Sequence, residues 1–226
     1  MKKDKITILN QDTNLLKIIA VICMTIDHIG CYLLNDNFYF RLIGRIAFPL
    51  FTYSIMIGYF KTKDIKKYAL RLFILALISQ IPYKLLNPND NLNIFFTLLL
   101  ELWLYRTLDK EKYYQIPLIF IIGFIFKVDY QFIYILLVPI IYYTRNNKLL
   151  FVILNLVHYG YYLFDEFYFF DRLSLTFFSV LYIPFILINT KSKIKINKYF
   201  FYIYYPLHLI IIYLIKTIIW FIFKCF

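Results

Sequence analysis

Cysteines, acidic residues and long polar stretches are scarce in this 226-residue chain. Cys23 and Cys31 share one apolar stretch and Cys225 lies near the end, so a disulfide scaffold is not expected. No polar linker, low-complexity tract or internal repeat divides the sequence, which predicts a single domain over residues 1–226. The chain also contains no serine nucleophile elbow, no HExxH motif, no P-loop and no haem or zinc spacing. We therefore expect no bound metal.

Hydrophobic residues dominate the composition instead. They make up 62% of the chain, and the mean hydropathy is +0.67, whereas a soluble domain is nearer about 45–50% apolar. The apolar runs are continuous, while the strands of a membrane barrel alternate over roughly ten residues. The sequence predicts an all-α, polytopic integral membrane helical bundle.

Nine apolar segments are predicted as transmembrane helices. Four of them are short for a bilayer. A basic stretch precedes the first segment with no small-residue cleavage site, which favours a retained signal-anchor helix. The nine segments are 14–34, 42–60, 68–86, 92–105, 113–126, 130–143, 148–164, 174–189 and 199–223.

The basic residues, 25 against 13 acidic ones, concentrate in every second loop. These loops are 61–67, 106–112, 145–148 and 191–198, whereas the others are poor in lysine and the one at 165–171 is acidic. Positive charge is retained on the cytoplasmic side of membrane proteins, so we expect the N-terminus inside and the C-terminus outside. The net charge of +12 is therefore attributed to topology and lipid contact, and no nucleic-acid partner is expected.

Charged residues occur inside the first predicted span. A charge at the centre of a membrane helix costs roughly 2.5–3.5 kcal/mol on insertion scales, so Asp27 and His28 indicate a polar site within the membrane. Lys17 lies nearer the inner end, where its side chain can reach the interface. His28 follows Lys17 by eleven positions, which puts the two with Met24 on one helix face, about 16 Å apart along the axis.

A second polar group follows in the next span and a third in the last. Arg41 and Arg45 are four residues apart and share a helix face, and His208 follows Pro206 well inside an apolar run. The remaining histidine, His158, is expected to be a packing residue. An imidazole can move a proton between nucleophile and leaving group, and arginines can bind carboxylate or phosphate in a bidentate way.

Five segments of the chain, which occur in the same order as in the family, together resemble the TraX family of conjugal-transfer membrane proteins, which includes the F-pilin N-acetyltransferase. The resemblance covers most of the chain, and its motifs are DHIG, R-x-x-G-R-x-A-F-P and Y-P-L-H. The family is grouped with transmembrane acyltransferases whose first helix carries a basic residue and, eleven positions later, a histidine, the spacing of Lys17 and His28. The segments are LKIIAVICMTIDHIG, RLIGRIAFPLFTYSIMIGY, LRLFILALISQIPY, NIFFTLLL and YYPLHLIII.

The resemblance implies acetyl transfer from acetyl-CoA, as co-substrate, to an unidentified peptide or glycan acceptor at the bacterial plasma membrane. His28 is the expected base, Asp27 its partner or a partner of the arginines, and His208 the rival base. The residues expected to bind the acceptor are Arg41, Arg45, Asn93 and Tyr205, and those expected to hold acetyl-CoA are Lys17 and Arg71.

Three other interpretations stay open from the residues alone. The charges could form a salt-bridge network that only fixes helix register. They could line the path of a small-solute or ion transporter, although no inverted repeat or paired glycine-interrupted spans favour that interpretation. The chain could also be a non-catalytic assembly partner.

Overall fold

A computed structural model describes residues 9–89, 91–130, 133–170 and 175–224. In these ranges the chain is helical and forms no strand, and its one extended pairing is an isolated bridge between Leu92 and Val128. The helices are α1 Thr13–Tyr32, α2 Phe38–Gly44, α3 Ala47–Lys61, α4 Ile65–Leu86, α5 Ile94–Asp109, α6 Ile116–Ile125, α7 Ile133–Thr144, α8 Lys148–Phe170, α9 Ile183–Leu187 and α10 Lys198–Lys224. Short 3₁₀ segments, Tyr113–Gln115 and Leu175–Tyr182, precede α6 and α9.

Four segments are long and apolar enough to cross a membrane: Thr13–Tyr32, Phe38–Lys61, Ile65–Leu86 and Tyr199–Ile222. Helical structure also forms in each of the other five predicted spans. The helices there are not both long and apolar enough to be candidates for crossing a membrane. The all-helical prediction is therefore confirmed, and the described residues contain four candidate membrane-spanning helices where nine had been predicted.

Two predicted boundaries are wrong in the described part of the chain. α8 continues to Phe170, so Asp165 and Glu166 belong to a helix and not to an acidic loop, because no glycine or proline interrupts the sequence between Phe164 and Phe170. The segment predicted over 174–189 divides into a 3₁₀ segment and the five-residue α9, with Pro184 in the first turn of α9.

Polar side chains at the helix N-termini explain where several helices begin. The backbone N–H groups of a first turn lack partners within the helix, and a side-chain oxygen just before the turn can accept from them. Asp12 accepts from the Leu15 N–H, Asn37 from Tyr39, Asp64 from Lys67 and Asn93 from Phe95.

Helix α5 lies at the centre of the bundle. It packs against α3, α4, α6 and α7, and most of its residues are buried. α1 packs against α2, α3 and α10. The outer faces of α4, α6 and α10 expose large apolar side chains, which is the arrangement of helices whose outer surface is in contact with lipid.

One end of the bundle gathers several basic segments. The Asn14 side chain donates to the Ile194 carbonyl, and the Asn10 amide bonds both the Phe185 carbonyl and Thr190. Lys61, at the end of α3, donates to the Gln11 carbonyl. The start of α1, the end of α3 and the lysine-rich segment 191–198 therefore lie together.

Candidate functional site

The core of the site is a doubly paired carboxylate between α1 and α2. Arg41 Nη1 donates to Asp27 Oδ2 at 2.6 Å, and Arg45 Nη2 donates to Asp27 Oδ1 at 3.1 Å. Both carboxylate oxygens are thus bound by guanidinium groups, and the Asp27 side chain is only 10% exposed. Arg45 Nε also donates to the Arg41 carbonyl at 3.3 Å. The acid pairs with the arginines, which was one of the two predicted arrangements, and not with His28.

This pairing requires very close contact between the two helices. A Cβ on Gly44 would lie 2.1 Å from Asp27 Oδ1, and a Cβ on Gly30 would lie 2.4 Å from Phe40 Cβ. Glycine at these two positions lets α2 approach α1 closely enough for the arginines to reach Asp27.

His28 points to another neighbour, His208 on α10. Their Nδ1 and Nε2 atoms are 2.8 Å apart and the two rings are nearly coplanar, with an interplanar angle of 4°. His208 Nδ1 lies 3.1 Å from the Tyr204 carbonyl, which can only accept, so this nitrogen carries the hydrogen. His208 Nε2 then accepts from His28 Nδ1–H. In the neutral pair, His28 Nε2 is left with its lone pair and can act as a base.

Tyr204 and Thr25 fix α10 against α1 beside the imidazole pair. Thr25 Oγ1 lies 2.8 Å from both the Val21 carbonyl and the Tyr204 hydroxyl. Since the carbonyl only accepts, the threonine donates to it and the tyrosine donates to the threonine. The Tyr204 ring also stacks on His208, with centroids 5.4 Å apart.

A cavity of about 310 Å³ lies at this cluster and is called the polar cavity below. Its walls include Asp27, His28, both arginines and a set of further polar side chains, whereas His208, the partner of His28, is not part of the lining. Further polar lining residues are Cys31, Tyr32, Tyr83, Asn87, Asp129 and Tyr130.

A second cavity of about 160 Å³, the apolar cavity, begins near the start of α1. It is lined by Asn14 and Lys17, by Ile196 of the lysine-rich segment and mainly by apolar side chains. Ser54 Oγ is buried in its wall and has no hydrogen-bond partner in the described part of the chain. The lining residues that the two cavities share are Met24, Phe51 and Tyr205.

Of the remaining predicted residues, Tyr205 and Lys17 line a cavity, whereas Arg71 and Asn93 do not. Tyr205 is buried between the cavities, with its ring centroid 5.2 Å from that of His208. Lys17 lines the apolar cavity, but Arg71 is exposed and does not, although it lies over the Tyr68 ring that does. Asn93 is not in the polar cavity.

The bonds of Asn93 are to α4 and to the first turn of α5. Its amide donates to the Ala76 carbonyl and to Gln80 Oε1, both at 2.8 Å, and its Oδ1 caps α5. These bonds join α5 to α4 and leave the side chain fully buried. The sequence suggested a polar helix face, but residue 93 precedes the first turn of α5, where asparagine is favoured as a cap.

Asp129 is a cavity residue to which the sequence prediction gave no role. It follows α6 in a tight turn in which Lys127 and Tyr130 have positive φ angles of 46° and 57°. Thr97 donates to its carbonyl at 2.7 Å and fixes the turn against α5. Burial raises the pKa of Asp129 to about 6, although Arg45 opposes the shift. The sequence does not show that Asp129 belongs to the site, because its proximity to Arg45 depends on the tertiary fold.

Comparison with known proteins identifies the family. The TraX protein model matches residues 12–216, which include the polar cavity and the two imidazoles. The chain belongs to the TraX family. With its long apolar helices, this TraX-family chain is a membrane protein.

Two curated relatives are similar over parts of the chain. A probable fimbrial assembly protein FimC, serogroup H1, of Dichelobacter nodosus is 30% identical over 103 residues, covering 38% of this chain and 42% of that protein. An uncharacterized protein, RP591, of Rickettsia prowazekii (strain Madrid E) is 58% identical over 40 residues, covering 18% of this chain and 16% of that protein. The matches thus span less than half of either relative. No solved structure matches the chain.

Substituting Gly44 tests the arginine–aspartate cluster. In Gly44→Ala the new methyl group occupies the position of the Asp27 carboxylate, so either the ion pairs break or α2 moves away from α1. We expect a loss of about 1–3 kcal/mol in stability, the usual cost of overpacking, measured as a lower unfolding temperature of the detergent-purified protein.

Gly160→Ala is the matched control, because a Cβ at Gly160 meets nothing within 4 Å. It should leave the unfolding temperature unchanged or raise it slightly, since alanine favours the helix. Equal destabilisation by the two substitutions would contradict a specific constraint at Gly44.

Proposed function

We propose that this TraX-family protein is a transmembrane acyltransferase of the bacterial plasma membrane. It transfers an acetyl group from cytoplasmic acetyl-CoA to an amine or hydroxyl of a membrane-associated or extracytoplasmic acceptor, such as a peptide or pilin N-terminus or a glycan. The observation that carries the proposal is the His28–His208 pair, which leaves His28 Nε2 as a base at the polar cavity. The partial similarity to a probable fimbrial assembly protein supports a pilin-related acceptor.

In the proposed reaction His28 moves one proton. Its Nε2 takes the proton of the acceptor amine or hydroxyl as the nucleophilic atom bonds to the thioester carbonyl carbon. The C–S bond then breaks, and the imidazolium returns the proton to the departing thiolate, which leaves as free CoA. His208 does not touch the substrate. It holds the His28 ring in the required tautomer and shares the positive charge that forms, a role that a carboxylate has in other triads.

Asp27 and the arginines have a separate role in this scheme. Asp27 is neutralised by two guanidinium groups, so it is not available as a second base. Arg41 Nε also lies 3.4 Å from Asp36 Oδ1, so the two arginines and two aspartates of the cluster have no net charge. In this scheme the guanidinium groups, which line the polar cavity, donate hydrogen bonds to the oxyanion that forms on the thioester carbonyl during transfer.

The apolar cavity is the proposed path of the acyl donor. Its end near Lys17 adjoins the lysine-rich segment 191–198, where the phosphates of CoA find positive charge. Its apolar walls suit the pantetheine arm, and Ser54 offers a hydroxyl to an amide of that arm. About 16 Å of α1 separates Lys17 from His28, and Met24, Phe51 and Tyr205 lie between the two cavities.

The three histidines provide a matched series for the proposed base. His28→Ala should lower kcat about 10²–10⁴-fold, the usual contribution of a general base. His208→Ala should lower kcat about 10–100-fold, the equivalent of one hydrogen bond to a charged group, and His208→Gln should recover part of this loss because its amide oxygen still accepts. The measurement is release of free CoA from acetyl-CoA by the purified protein.

His158→Ala serves as the control, because His158 is buried on α8 away from both cavities. It should leave turnover near normal once the amount of folded protein is matched. Near-normal turnover of His28→Ala together with complete loss in His208→Ala would reverse the two roles. Solute flux across liposomes without any release of CoA would favour a transporter instead.

Substitutions of two basic residues, Lys17 and Arg71, test the proposed path of the acyl donor. Lys17 lines the apolar cavity and Arg71 does not, so Lys17→Gln should raise the KM for acetyl-CoA several-fold while Arg71→Gln changes it little. The dependence on acceptor concentration should stay the same in both variants, because the acceptor binds in the polar cavity. An unchanged donor KM in Lys17→Gln would remove the support for this path.

The proposed orientation places the gathered basic segments in the cytoplasm. A cysteine at Lys195 should then be shielded from an impermeant thiol reagent in intact cells, and one at Asn89, in the exposed turn after α4, should be labelled. Labelling of the parent protein corrects for its own three cysteines. The reverse labelling pattern would invert the topology.

A further inference from the structure

A third cavity, separate from the proposed catalytic site, lies where α5 ends. It has a volume of about 310 Å³ and is lined by Trp103, Arg106, Lys110, Lys112 and Gln115. None of these residues lines the polar or the apolar cavity. Three of the five carry positive charge and none is acidic, so we call it the basic cavity.

The charges around the basic cavity leave a net attraction for an anion. Lys110 Nζ lies 3.4 Å from Asp109 Oδ2, which also accepts from the Tyr59 hydroxyl at 2.6 Å. In the described part of the chain, Arg106 and Lys112 form no ion pair, and Glu111 is exposed outside the lining. The cavity is therefore lined by two basic side chains without an ion pair in that part of the chain, Arg106 and Lys112, and by Lys110, which is paired with Asp109.

The neutral lining residues of the basic cavity also favour an acceptor-rich ligand. Gln115 Oε1 accepts from Trp103 Nε1 at 2.9 Å and from Thr107 Oγ1 at 3.2 Å. Gln115 Nε2 donates one N–H to the Tyr114 hydroxyl at 3.5 Å, so the remaining capacity of Gln115 is its second amide N–H. Backbone bonds from Lys112 to Thr107 and from Glu111 to Leu108 hold the turn in place. The cavity thus offers mainly hydrogen-bond donors, as a phosphate requires.

An apolar surface that suits acyl chains begins next to the basic cavity. α6 starts at Ile116, directly after Gln115, and exposes Leu118, Ile121 and Ile125 along one face at spacings of three and four. Tyr113 and Tyr114, which lie in the sequence between the cavity residues Lys112 and Gln115, are exposed, as tyrosines commonly are at the level of lipid headgroups.

We propose that the basic cavity binds the phosphate of an anionic phospholipid, with the acyl chains along the exposed face of α6. The Tyr59–Asp109 and Lys61–Gln11 bonds place this end of α5 at the same end of the bundle as the basic segments. Anionic lipids are attracted to such clusters at the cytoplasmic surface. The proposal depends on membrane insertion and not on acyl transfer.

Tryptophan fluorescence gives a direct test, because the chain has two tryptophans and one of them is in the cavity. In a full-length Trp220→Phe variant in detergent micelles, phosphatidylglycerol with brominated chains should quench Trp103 at lower concentration than brominated phosphatidylcholine does. Arg106→Gln with Lys112→Gln should weaken phosphatidylglycerol binding about fivefold for each charge removed.

Lys216→Gln with Lys224→Gln removes the same charge from exposed positions toward the other end of α10, away from the basic segments, and should leave the quenching curve unchanged. Equal quenching by the two lipids, or equal weakening by the two double variants, would overturn the proposal. Inorganic phosphate and Leu118→Ser separate a lipid from a free phosphate. Displacement of phosphatidylglycerol by millimolar phosphate, with no effect of Leu118→Ser, would assign the cavity to a soluble phosphate compound and would also overturn the lipid assignment.

Discussion

The double ion pair of Asp27 with Arg41 and Arg45 is the constraint on which the site depends. A single carboxylate within a membrane helix is costly, and removing one partner of such a buried pair typically costs about 3–5 kcal/mol. Both oxygens must therefore stay paired, and this is possible only while α2 lies against α1 with glycine at positions 30 and 44. The cluster thereby fixes the rotation of α1 about its own axis.

That rotation determines which way His28 points. Consecutive residues on a helix diverge by about 100°, so Asp27 and His28 face different neighbours, the first α2 and the second α10. The charged network and the imidazole pair are therefore distinct units joined by one helix. A structural salt bridge and the proposed base are therefore not competing explanations of this region, because they involve different residues.

The sequence predicted the polar site within the membrane because it depends on local pattern. Charges in apolar runs, the eleven-residue spacing from Lys17 to His28 and the arginines four apart are all visible along the chain. The contact between His28 and His208 joins residues 180 positions apart, so it depends on how α10 packs and has no local signal. For Asn93 the local pattern did not give the helix boundary, because the residue lies one position before α5 and not on its polar face.

The face of α1 that carries Lys17, Met24 and His28 connects the two cavities. Lys17 lines the apolar cavity, His28 the polar one, and Met24 both. Since the three residues share one rigid helix, Asp27 sets their common orientation although it lies on a different face. In the proposed reaction the donor path and the base are consequently aligned by an ion pair that takes no part in proton transfer. In that proposal the buried acid contributes to the chemistry only through the geometry of its helix.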